Sequence, residues 1–212
     1  MGFRDPKYID WERGYKWAAH KDWQAALEKE QFSRLLKGRK YQDIASAAIR
    51  IESRTNLLFS FEKMGLRDGV RSQEGAKLFS ENLYQLLYGS GALRNRFENW
   101  CQAVSQLPRK QTRVLTHPVV TVFPFIADPK NHIFIKPKVI KAAAAAYGFE
   151  LHYKSTPSWT VYSQILQFAH LIMSDLKSEH PRDMIDIQSF MWVIGSDEYE
   201  HMLAWKERRS IT

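Results

Sequence analysis

The chain predicts a predominantly helical α+β fold, and three observations carry that reading. Most of its length repeats apolar residues at spacings of three and four, the signature of amphipathic helices. One stretch, Arg109 to Lys141, instead gathers β-branched and aromatic residues into two runs, Val119 to Ala127 and His132 to Lys136. Those runs flank Asp128-Pro129-Lys130-Asn131, in which proline presets φ and the Asp and Asn side chains can bond the local backbone. The expected architecture is one compact domain over 1–212. A helical bundle part spans 1–108, and an α+β part spans 109–212. In the second part a hairpin at 119–136 and a strand at 149–154 form a small sheet packed with C-terminal helices.

The first half justifies the bundle. Ile9 to Lys37 places Trp11, Tyr15, Ala19, Trp23, Ala26 and Leu27 on one stripe, with a break near Glu30. Asp10 is in position to cap this helix, and Gly38 to serve as a left-handed C-cap. Tyr41 to Val70 continues with Ile44, Ala47, Ala48, Ile51, Leu57, Leu58, Phe61 and Met64, and Ser53 to Asn56 marks a kink or break. Glu74 to Tyr88 and Leu93 to Leu107 complete the bundle.

For the hairpin, pairing Asp128 with Asn131 puts Val122, Ile126, Ile133 and Ile135 on a core face. Phe123, Phe125 and Phe134 then share the opposite face with His132 and Lys136, where they either meet solvent and a ligand or form a second core layer. Pro124 cannot donate to a ladder, so that strand belongs at an edge or a bulge. Phe149 to Lys154 alternates Phe149, Leu151 and Tyr153 inward with Glu150, His152 and Lys154 outward. Helices are expected over Val139 to Tyr147, stopped by Gly148; over Trp159 to Leu176, capped by Ser158; and over Arg182 to Ile194, opened by Pro181. A short tail helix is expected over Asp197 to Arg209.

Charge is uneven along the chain. Of the formal +8, residues 109–141 hold seven basic side chains against the single acid Asp128, whereas 142–212 hold six basic and nine acidic ones. A local cationic region implies an anionic partner held through phosphate contacts. The expected function is nucleic-acid binding, plausibly of DNA, by the basic hairpin and the helix before it, Leu93 to Leu107, in a winged-helix manner. The candidate contact residues are Arg109, Lys110, Arg113, Lys130, His132, Lys136, Lys138 and Lys141. A protein partner docking on the surplus Trp and Phe side chains is the alternative, and a metal-dependent nuclease or phosphodiesterase the third.

Signatures of catalysis are sparse, and the reading leans away from an enzyme. Walker, GxGxxG, GxSxG, HExxH and paired CxxC patterns are missing, so no cofactor and no metal site is expected. Asp183 and Asp186 share a helix face that could ligate a cation, although acids at a helix start more often answer the macrodipole. Arg13 and His20 loosely match a spacing used by helical ribonucleases. Cys101 reads as a packed thiol in a reducing compartment. With neither an apolar leader nor a long apolar run, a cytoplasmic location without a membrane span is expected.

Overall fold

The structure, a computed structural model, describes residues 2–108 and 114–196. The expected tail helix over 197–209 therefore lies outside the described residues, as do Arg109, Lys110 and Arg113.

Among the described residues every regular element is helical, and the expected sheet is absent. A short α1 (Pro6–Tyr8), capped by Asp5, runs through a π-turn (Ile9–Arg13) into α2 (Gly14–Leu27). Asp10 thus lies inside a helical turn and caps nothing. At Glu28 the backbone swings to ψ 165°, ending α2 and starting α3 (Lys29–Lys37), close to the expected break. The left-handed residue after α3 is Arg39, at φ 54°; Gly38 has φ −77°. The expected break around Ser53 to Asn56 separates α4 (Tyr41–Ser53) from α5 (Ser60–Gly69). Then come α6 (Gln73–Tyr88), capped by Ser72, and α7 (Leu93–Gln106).

The principal correction is α8 (His117–Ala127), an α-helix where a strand was expected. Thr116 caps its start, its hydroxyl accepting from the Val119 amide, and Pro118 sits in the first turn where a missing N–H costs little. Pro124 breaks one backbone bond inside the helix and leaves the Val120 carbonyl without its usual partner. The indole N–H of Trp100 takes that carbonyl at 2.9 Å. Packed against α2, α4, α6 and α7, the helix is buried on all sides. It therefore has no polar face to mark a 3.6-residue period, and a short all-apolar run cannot be told from a buried strand by periodicity.

The rest of the supposed sheet resolves in similar terms. The turn at Asp128–Asn131 forms as expected, with the Asn131 side-chain amide donating to the Asp128 carboxylate at 2.8 Å. It leads into an extended, buried segment, His132–Ile135, which is hydrogen-bonded to helix side chains instead of a partner strand: the Ile135 amide donates to the Thr121 hydroxyl at 3.1 Å. Residues 149–154 keep the expected alternation, with Phe149, Leu151 and Tyr153 half-buried between exposed neighbours. In place of a ladder, the His152 amide donates to Gln164, and the Lys154 carbonyl meets His117 Nε2 at 2.8 Å. Val122, Ile126, Ile133 and Ile135 are core, as expected, and Phe123, Phe125 and Phe134 are core too.

The C-terminal part comprises α9 (Pro137–Ala146), α10 (Trp159–Asp175), capped by Ser158, a 3₁₀ turn (Lys177–Glu179), and α11 (Met184–Gly195), capped by Asp183. Gly148, at φ 71°, closes α9 in the left-handed region where a side chain would strain. The α9 and α11 helices pack closely, and a Cβ at Gly195 would collide with the Val139 carbonyl. The apolar core runs as one cluster from Ala19 to Met191. No helix among the described residues is long and apolar enough to cross a membrane.

Candidate functional site

Two adjoining hollows lie where the π-turn, the α4–α5 loop, α9 and α11 meet, and they share Lys136 and Trp192. The larger is an open groove of about 730 Å³. Phe59, Phe61, Pro118, Pro137, Val139, Ala142 and Trp192 give it apolar walls, and Lys136, Lys138, Glu62 and His117 add polar groups. The smaller, about 220 Å³, is lined by the aromatic residues Tyr15, Phe134 and Trp192 and has a polar floor from Glu12, Lys16 and Gln188.

The groove owes its character to helix ends. Phe59 immediately precedes α5, Phe61 lies in its first turn, and both rings are half exposed (51% and 50%) and nearly parallel, 5.7 Å apart. Leu66, further along α5, is buried, so the two rings are left over after the helix has met the core. Met64, expected on the apolar stripe with Phe61, is equally exposed at 51%. The Lys136 ammonium stands 4.1 Å from the Phe59 ring centre and 5.1 Å from that of Trp192, a cation held between two aromatic faces.

Lys136 is also the residue before the first turn of α9, and its side chain makes no capping bond there. The other two helices that begin at the groove are capped from within: α8 by Thr116, and α5 by Glu62, which accepts from the Phe59 amide at 3.0 Å. The positive end of α9, with Lys136 and the exposed Lys138, is therefore the part of the groove best suited to an anion.

The floor of the smaller cavity rests on buried charge. Arg13 makes a two-bond fork with Asp183, Nη1 to Oδ1 at 2.8 Å and Nη2 to Oδ2 at 2.7 Å, and Nη1 also donates to Asp186 at 2.8 Å. Asp186 accepts further bonds from the Tyr8 hydroxyl (2.5 Å) and from the Arg182 backbone and guanidinium. Burial alone would raise the Asp186 carboxyl, but the bonds from Arg182 and Tyr8 and the Arg13 charge bring it below the usual carboxylate range. Lys16, 2% exposed, donates to Glu12 at 2.8 Å and to Ser189 at 2.9 Å. Burial pulls its ammonium down and Glu12 pulls it back up, with burial the larger effect. Beside it Gln188 is 3% exposed, and its Oε1 accepts no hydrogen bond.

Among the described residues, the expected contacts Lys130, His132, Lys136, Lys138 and Lys141 do not assemble as one patch. Lys136 and Lys138 border the groove. Lys130 is exposed at the turn whose Pro129 carbonyl accepts from the Met184 amide. That is the far end of α11 from Trp192, roughly 12 Å away along the helix. Lys141 is exposed and lies over Tyr153. His132 is buried against the Tyr162 hydroxyl at 2.8 Å, and burial pushes its imidazole down to about 4, so it lies in the core. The helix proposed to pair with a wing, α7, has none beside it among the described residues, and its Arg96 is turned inward to the Leu86 carbonyl.

The residues considered for chemistry are likewise engaged. Asp183 and Asp186 form the ion network with Arg13 and Arg182, and no group of three or more His, Cys, Asp or Glu among the described residues is placed to hold a metal ion. His20 bonds the Ile126 carbonyl at 2.8 Å, away from the Arg13 fork. Cys101 is a packed thiol, pushed up to about 12 by burial.

No protein-family model matches this chain, and comparisons with curated proteins and with solved structures return no match.

Proposed function

We propose that the chain is a binding protein for single-stranded nucleic acid and that the groove at Phe59, Lys136 and Trp192 is where the strand lies. The observation that carries this reading is the Lys136 ammonium, set between two aromatic rings at the uncapped start of α9. Half-exposed rings offer stacking faces to bases of any sequence, while Lys136, Lys138 and the positive helix end face the phosphates. The excess of basic residues over 109–141 supports the same choice of partner. A protein segment could use the exposed Phe59, Phe61 and Met64. A cation and a positive helix end, however, favour a ligand that is anionic as well as planar.

The test is fluorescence anisotropy of a labelled single-stranded oligonucleotide across a salt series. Binding should weaken with salt, and Lys136→Gln should flatten the logarithmic slope by about 0.7, the value for one phosphate contact on a single strand. A protein that binds no strand at low salt, or binds an acidic peptide in its place, contradicts the reading.

A further inference from the structure

We infer that the smaller cavity is a base-edge site, receiving the hydrogen-bonding edge of one nucleobase from a strand in the adjoining groove; this rests on the proposed strand binding. The cavity and groove meet along Lys136 and Trp192, so a base leaving the stack on Phe59 would enter beside Trp192. At about 220 Å³ the cavity is larger than the ~150 Å³ that admits a benzene ring, and so has room for a single flat heterocycle. Tyr15, Phe134 and Trp192 are among its lining residues.

The floor supplies the complementary polarity. Gln188 Oε1 is a buried acceptor with no donor, a condition that costs free energy until something donates to it. Lys16, which lines the same cavity, directs two of its three ammonium protons to Glu12 and Ser189 and keeps a third, with the Tyr15 ring centre 5.4 Å from its nitrogen. An acceptor and a donor on one cavity are what the edge of a base requires. A thymine or uracil ring, for example, would donate its N3–H to Gln188 Oε1 and accept a hydrogen bond from Lys16 on a carbonyl oxygen. The ion network of Arg13, Asp183 and Asp186 fixes the π-turn that leads into α2 against α11, and α2 and α11 carry Lys16 and Gln188 to the cavity.

The experiment compares two labelled strands of equal length and phosphate count by anisotropy, an oligothymidylate and one with abasic sites at its internal positions. Each is titrated with the full chain and with Gln188→Leu, which keeps the side-chain bulk and removes the acceptor. Gln188→Leu should bind oligothymidylate about tenfold more weakly, because the base N–H would be buried without a partner, and should bind the abasic strand unchanged. Should Gln188→Leu fail to fold, Gln188→Asn retracts the acceptor and reads the same difference. An equal loss on both strands, or no loss on either, overturns the base-edge site while leaving strand binding in place. A wild-type chain that binds neither strand overturns both.

Discussion

Arg13 and Asp183, 170 residues apart in sequence, meet in a two-bond fork buried from solvent. The fork joins the start of α2 to the start of α11, and with Asp186 it forms the support beneath the smaller cavity. Replacing Arg13 by Met leaves two carboxylates facing each other without their common cation. The expected loss is about 3–5 kcal/mol of folding stability, measured by urea denaturation. Asp183→Asn combined with Arg13→Met should recover part of that loss, because the second change removes the stranded charge.

A double-mutant cycle tests how α8 survives its internal proline. Trp100→Phe removes the donor to the Val120 carbonyl and should cost about 1–3 kcal/mol. In a Pro124→Ala background the backbone regains an amide N–H at that position, which can reach the same carbonyl. The Trp100→Phe change should then cost at least about 1 kcal/mol less. Strictly additive costs would show that the indole bond does not stand in for the one Pro124 lacks.

Buried His132 sets a pH dependence. Its folded pKa, about 4, lies below the unfolded value near 6.5, so the unfolded chain binds the extra proton. Stability from this group is therefore complete above about pH 6.5 and is lost as pH falls from there towards 4, by up to about 3 kcal/mol. Unfolding curves collected across that window should show the slope in the wild type. His132→Gln, which keeps a partner for the Tyr162 hydroxyl, should remove most of it.

Phe59→Ala with Phe61→Ala should lower strand affinity by about tenfold or more while leaving the unfolding midpoint within a degree or two. Both rings are half exposed and so contribute little to the core, whereas stacking on an aromatic ring is worth ~1–3 kcal/mol per base. Anisotropy and thermal melting on the same preparation separate the two effects.

What could be read in the sequence follows from which physical signals are local. The caps at Ser158 and Gly148, the turn at Asp128–Asn131 and the break after Ser53 are short-range chemistry, and they appear where expected. Val122, Ile126, Ile133 and Ile135 were legible as core because their hydrophobicity forces burial in either secondary structure. The strand assignment for Val119 to Ala127 failed because β-branched residues in a helix enclosed by four others carry no amphipathic mark. The capping Thr116 and first-turn Pro118 were the available clue. The aromatic–cation groove was hidden because Phe59, Lys136 and Trp192 come from three distant segments. Asp183 and Asp186 were recognisable as helix-start acids, but nothing local points to Arg13 as their partner.

The most direct measurement is photo-crosslinking of a single strand carrying 5-iodouracil, followed by mapping of the attached peptides. The strand should attach to peptides containing Phe59, Phe61 or Trp192, and Lys136→Glu should abolish the adducts. Attachment confined to peptides remote from the groove, at yields unaffected by Lys136→Glu, would contradict the placement of the strand at this site.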